Sequence, residues 1–179
     1  NIKLGISTNY INSSADRSLF GNDNAGVTTG IALSSTPSFV QLHADANGNY
    51  PNDPFAASNP LQTVALIRNN ESVNRFITGA NLEVILQKSG TSNNKFIGRG
   101  GFDFYNLQTS ALFPGTLQFQ AVNKGTSIQG FTKNLSTNYI LSLVNTFTPS
   151  DKMSFTTSGG ITQETGDYNN LLNVATQII

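Results

Sequence analysis

From Phe76 onward the chain alternates: Phe76, Thr78, Ala80, Leu82, Val84 and Leu86 fall in one phase, and Arg75, Asn81, Glu83 and Gln87 in the other. A pleated strand sends successive side chains to opposite faces, so the run predicts a strand with one apolar and one polar face. Its length, about ten residues, is what crosses a bilayer as a tilted strand. In a soluble sheet the apolar phase turns inward. In an outer-membrane barrel wall it meets lipid, and the polar phase lines a watery lumen. The same alternation recurs and predicts five strands, near 1–10, 73–88, 95–105, 132–147 and 153–164. Ile2, Leu4 and Ile6 alternate with Lys3, Gly5 and Ser7 from the first residue, so the chain opens inside a strand. Residues 166–179 read as a loop with a short helical pattern through Leu171, Leu172 and Ala175. Bacterial barrels need roughly 8 to 26 strands. The expectation is therefore an all-β fragment: antiparallel strands of a large transmembrane β-barrel, cut from a longer polypeptide.

Connection lengths alternate as such walls require, with short periplasmic turns and long extracellular loops. Lys88 to Asn94 and Thr148 to Lys152 are short and rich in Ser, Gly, Asn, Pro and Asp, the turn formers. The connections at 11–72, 106–131 and 166–179 fall on the opposite side and read as extracellular loops. Within the first loop Asp23 is a candidate cap for a helix through Ala25 to Leu33. Asn59 followed by Pro60 is a stronger helix start, with Leu61, Val64, Ala65 and Arg68 at helical spacing. Between them Asp45 to Tyr50 and Pro51 to Pro54 form a dense turn cluster.

Composition changes this picture little. Charged residues make up 11% of the chain, hydrophobic residues 37%, and the formal charge is zero, so no nucleic-acid surface or acidic tail is indicated. No apolar run is long enough for a spanning helix, a test that barrel strands evade. Without cysteine, and with His43 as the lone histidine, neither a disulfide nor a zinc cluster can be built, and no metal or cofactor is expected.

Candidate chemistry is sparse. Asp45, Asn47 and Asn49 sit at alternate positions like the start of a calcium loop. However, Gly48 is at the fourth place and no glutamate is at the twelfth, so a solvated turn is the better reading. Gly98, Gly100 and Gly101 around Arg99 lie within a strand and not before a helix, which favours close packing over phosphate binding. Arg75, Glu83, Arg99 and Asp103 fall on the polar phase and are expected to line the lumen, paired across strands or against other protein. Tyr10, Phe76, Phe104, Tyr139 and Phe147 fall near the ends of the expected strands, where aromatic girdles meet the membrane interface. One histidine cannot be matched to a nucleophile and the acidic residues show no pairing, so an enzyme is not expected.

A set of short segments adds a family resemblance over most of residues 40 to 165. Asn47-Gly48-Asn49-Tyr50, Asn59-Pro60-Leu61, Val73-Asn74-Arg75-Phe76 with Gly79, Gly101-Phe102-Asp103-Phe104-Tyr105, Phe113-Pro114 and Thr162-Gln163-Glu164 follow one another on a repeated strand-turn-strand layout. In order and spacing they resemble the SusC/RagA-type TonB-dependent outer-membrane transporters. The resemblance implies that residues 1–179 are a segment of a TonB-dependent receptor β-barrel domain of about 22 strands, filled by a plug. It further implies import of oligosaccharides or peptides across the outer membrane of a Gram-negative bacterium. The implied partners are a SusD-like surface lipoprotein, TonB acting through a plug region outside this segment, glycan or peptide cargo, and outer-membrane lipid. Two other readings stay open: a barrel scaffold subunit of a larger outer-membrane assembly, and a secreted β-sandwich binding module. The sandwich calls for turn signals every 8 to 12 residues, which this chain lacks.

Overall fold

The computed structural model describes residues 1–21 and 25–178. The expected helix cap at Asp23 lies outside the described residues. Five strands, β1 (Ile2–Asp16), β2 (Arg68–Lys88), β3 (Ser92–Phe113), β4 (Thr126–Ser150) and β5 (Met153–Thr176), form one antiparallel sheet in the order β1-β2-β3-β4-β5. They are 15 to 25 residues long, whereas strands of globular proteins usually run about 3–10. All five expected strands are present, each extending past the apolar alternation that revealed it. The alternation stops signalling where the polar pattern of a strand becomes that of a loop, although the backbone ladder continues. Residues 166–176, read from sequence as loop and helix, are the second half of β5. Leu171, Leu172 and Ala175 fit a helical spacing by coincidence, since short apolar runs carry both periods.

The tight connections are shorter than expected. Ser89 N–H donates to Ser92 O at 2.8 Å to close the β2–β3 turn, and Asp151 and Lys152 alone join β4 to β5. The long connections, 17–67 and 114–125, alternate with them. The first contains α1 (Thr29–Ser35) and α2 (Pro60–Leu66). α2 starts as its sequence dictates, with Pro60 at the first helical position and Asn59 Oδ1 accepting from Leu61 N–H (2.9 Å) and Gln62 N–H (3.1 Å). The helix ends before Arg68, which opens β2.

The chain divides into two compact units. Unit 1 comprises Asn1–Asn12, Asn74–Asn106 and Thr132–Asn169; unit 2 comprises Ser13–Val73, Leu107–Phe131 and Asn170–Ile179. Unit 1 is pure sheet, and none of its side chains is buried. Unit 2 has a small apolar cluster in which Ala111, Phe113 and Leu117 pack with Leu19, Leu66, Ile67, Phe119 and Ile128. Beside it runs a buried polar network. Asn59, fully enclosed, donates from Nδ2 to Leu42 O and Pro51 O, both at 2.8 Å, and so joins the turn cluster to the start of α2. Gln62 donates to Thr116 O (2.9 Å) and accepts from Gln118 N–H (3.1 Å). The Gln118 amide in turn satisfies Asp53 N–H and O and Ala56 O. Replacing Asn59 with alanine removes the cap and strands two carbonyls. We expect Asn59→Ala to destabilise unit 2 by about 2–4 kcal/mol in denaturant titration, and a cost below ~0.5 kcal/mol would show that the network contributes little.

Candidate functional site: two faces of the sheet

Cross-strand contacts within unit 1 fix which side chains share a face. Ile85 N–H donates to Asn1 O at 2.9 Å and Thr148 N–H to Thr91 O at 2.7 Å. A Cβ built on Gly101 would lie 3.3 Å from Gly79 Cα. The Thr137 and Thr165 hydroxyls meet across β4 and β5. In this register Ile2, Leu4, Ile6 and Tyr10 share a face with Phe76, Leu82, Leu86, Phe102 and Phe104, and with Leu135, Tyr139, Leu141, Leu143, Phe147, Phe155 and Ile161. No side chain on this face is buried, and along β4 most odd positions are exposed while most even positions are partly covered. Leu143 is 57% exposed and Ile161 70%. Ile11 and Tyr168 are the large exposed residues of unit 1 that fall on the other phase.

The polar face gathers the four charged residues singled out from sequence. Arg75 grips Asp103 with two hydrogen bonds, Nε to Oδ1 at 2.9 Å and a second from its terminal nitrogen to Oδ2. Glu83 is bracketed by Lys3 at 3.7 Å and Lys95 at 3.5 Å. Arg99 stands on the same face, exposed, with no carboxylate partner among the described residues. A depression of about 500 Å³ beside the Arg75–Asp103 pair is lined by Ile77, Gly101, Asp103, Ser136, Asn138 and Glu164. Lys3 and Lys95 completed this charge pattern without being foreseen. Each is an isolated lysine in its own strand, and only the register brings the two to Glu83.

The glycines are packing residues. Tyr139 lies across Gly100, where an added Cβ would come 2.8 Å from its ring, and a Cβ on Gly101 would meet Thr78 O at 2.6 Å. Of the aromatics expected at strand ends, none is terminal, because the strands run past them. Tyr10, Phe76 and Phe104 stand opposite one another in one cross-strand row. Tyr139 sits further along β4, over Gly100, and Phe147 faces Phe155 near the β4–β5 turn. Beside the aromatic row stands a polar one of the same phase: Asn12, Asn74, Asn106, Lys133 and Asn169. Tyr10 Oη–H and Asn12 Nδ2 both donate to Asn74 Oδ1 at 2.8 Å, and Lys133 Nζ lies 5.6 Å from the centre of the Phe104 ring.

In unit 2 one phase of β3 and of β4 is covered, and the other exposes Leu112 and Phe131 beside polar residues. On β3 the inward phase becomes Ala111 and Phe113, both buried, while Gln108 and Ser110 of the outward phase are exposed. On β4 Thr126 and Ile128 are covered and Gln129 is open.

The turn cluster of unit 2 is tightly made. Asp45 Oδ1 accepts from Asn47 N–H and Asn49 N–H, both at 2.8 Å, and Gly48 takes φ +84°, a conformation open to glycine. The carboxylate is thereby committed to its own loop, the geometry of an Asx turn. These bonds, led by that from Asn49, hold the Asp45 carboxyl below its usual range. Gln41, His43, Asn49 and Tyr50 border a shallow hollow of about 380 Å³ at this turn. Among the described residues no helix is long and apolar enough to cross a membrane. No family model matches the chain, and none of the curated proteins or solved structures does.

Because the folded pKa of Asp45 is depressed, its contribution to loop order is present above the unfolded carboxylate pKa. It is lost as the pH falls through the lower folded value. Protection of the Asn47 and Asn49 amides, relative to their intrinsic exchange rates, should therefore hold at neutral pH and be lost only in acid, below the ordinary aspartate pKa of about 3.9. Asp45→Ala should abolish that protection at every pH, and unchanged protection in that variant would refute the Asx-turn role.

Proposed function

We propose that this chain is part of the wall of a large outer-membrane β-barrel that imports oligosaccharides or peptides. One observation carries the barrel reading. In unit 1 no side chain of the apolar phase is buried, from Ile2, Leu4 and Ile6 on β1 through Leu141 and Leu143 on β4 to Ile161 on β5. A soluble sheet would lose the benefit of burying those side chains, about 25 cal/mol per Å². A wall in lipid requires them outside. On β2 the apolar phase runs from Phe76 to Leu86, ten steps of about 3.4 Å. At a tilt near 40° this spans close to 25 Å, the height of the outward apolar band of such barrels. The Tyr10–Phe76–Phe104 row then sits at the interface, with the asparagine row and Lys133 at headgroup level.

The transport role rests on the resemblance to SusC/RagA-type transporters. It brings with it TonB as energy source, a SusD-like lipoprotein over the extracellular loops, and localisation in a Gram-negative outer membrane. On this reading Arg75, Glu83, Arg99 and Asp103 line the lumen, with Arg75 paired to Asp103 and Glu83 to Lys3 and Lys95. The sandwich alternative requires a second sheet against the apolar face, and the described residues form one sheet.

The reading predicts a difference between phases. In the full-length protein within a bilayer, Leu82→Arg or Leu141→Arg should cost about 2–4 kcal/mol of stability, and Asn81→Arg or Asn138→Arg much less. Equal costs would exclude lipid on the apolar face. Intact-mass measurement of the outer-membrane polypeptide carrying this sequence tests the remainder. A much longer chain copurifying with a lipoprotein is expected for import. A membrane-embedded chain without one points to a scaffold, and a soluble chain of 19.1 kDa overturns the barrel.

A further inference from the structure

We propose that Asn47 is a modification site, converted without an enzyme to aspartate or isoaspartate through a cyclic imide, and that the Asp45 turn sets the rate. Asn47-Gly48 is the one Asn-Gly pair in the chain. Both residues are exposed, and the Asn47 side-chain amide has no hydrogen-bond partner among the described residues. A Cβ built on Gly48 would meet nothing within 4 Å, so the space around the reacting nitrogen is open. In the reaction the Gly48 nitrogen gives its proton to water or hydroxide and attacks Asn47 Cγ. The new N–C bond closes the imide ring, the Cγ–Nδ2 bond breaks, and the leaving group departs as ammonia with a proton taken from water. Water then adds to either imide carbonyl, and ring opening yields aspartate or isoaspartate. Glycine favours the attack because no side chain crowds its nitrogen and its backbone is the freest to rotate.

The turn opposes the reaction at its nucleophile. Gly48 N–H donates to Asp45 O at 3.0 Å, which holds the proton that has to leave. Asp45 Oδ1 accepts from Asn47 N–H and Asn49 N–H, and Asp45 N–H donates to Asn49 O at 2.9 Å, so the backbone on both sides of Asn47 is fixed. Cyclisation rotates that backbone until Cγ reaches the Gly48 nitrogen, and the Gly48 hydrogen bond must be given up first. The product makes the change permanent. A second carboxylate then stands close to that of Asp45, and isoaspartate adds a carbon atom to the main chain between the two ends of the turn. The hollow bordered by Gln41, His43 and Tyr50 gains a negative charge at its rim.

The full-length protein is incubated at neutral pH beside a synthetic peptide of residues 41–53, and conversion at residue 47 is followed by peptide mapping that separates aspartate from isoaspartate. The parent should react about tenfold more slowly than the peptide, and Asp45→Ala should recover most of that factor, as the loss of the hydrogen bonds to its carboxylate requires. Asp45→Asn, which keeps an acceptor oxygen, should fall between them. Protection of the Leu61 and Gln62 amides reports that unit 2 stays folded in each variant. Should Asp45→Ala lose that protection, the Asp45→Asn rate decides in its place. A parent that reacts as fast as the peptide overturns the proposal, and so does a folded variant that reacts no faster than the parent.

Discussion

Cross-strand register is the constraint on which the rest of this structure depends. A strand has a period of two, so slipping any one strand by a single residue would move its whole apolar set to the other face. Among the described residues no side chain of unit 1 is buried, and register has to be set within the sheet itself. Three devices do this. Turns of three and two residues pin the β2–β3 and β4–β5 pairs. Glycines at 100 and 101 accept the Tyr139 ring on one face and the Thr78 carbonyl on the other. Ion pairs from Arg75 to Asp103 and from Glu83 to Lys3 and Lys95 tie β1, β2 and β3 together on the polar side. A slip of one residue would separate each of these partners and carry charge onto the apolar face.

The same register sets an aromatic row and a polar row side by side within unit 1. Tyr10, Phe76 and Phe104 stand next to Asn12, Asn74, Asn106 and Lys133, and Tyr10 and Asn12 share Asn74 Oδ1 as acceptor. On the barrel-wall reading proposed above, rings beside amides suit a boundary between hydrocarbon and water, since rings tolerate both and asparagine tolerates only the second.

Unit 2 solves a different problem. Its long connections have little regular structure, so their buried backbone groups need partners of another kind. Side-chain amides provide them. Asn59, Gln62 and Gln118 together satisfy the carbonyls of Leu42, Pro51, Asp53, Ala56 and Thr116 and the N–H groups of Leu61, Gln62, Asp53 and Gln118. A rigid loop made in this way can present a defined surface, such as the Asp45 turn, without a large apolar core.

What the sequence by itself determined was local. Alternation revealed five strands, turn residues revealed the two tight connections, and the Asn59-Pro60 pair revealed α2, because each signal is carried by neighbours along the chain. The strand ends escaped it, and so did the second half of β5, because polar residues in a strand look like residues in a loop until a hydrogen-bonded neighbour is present. The sorting of Arg75, Glu83, Arg99 and Asp103 onto the polar phase was legible, but the roles of Lys3 and Lys95 were not. Nor was the network in which Gln118 bonds both Gln62 and Asp53, each more than fifty residues away from it in the chain. Only the tertiary structure decided those, since pairing across a sheet or between two loops depends on register and loop closure, which periodicity does not encode.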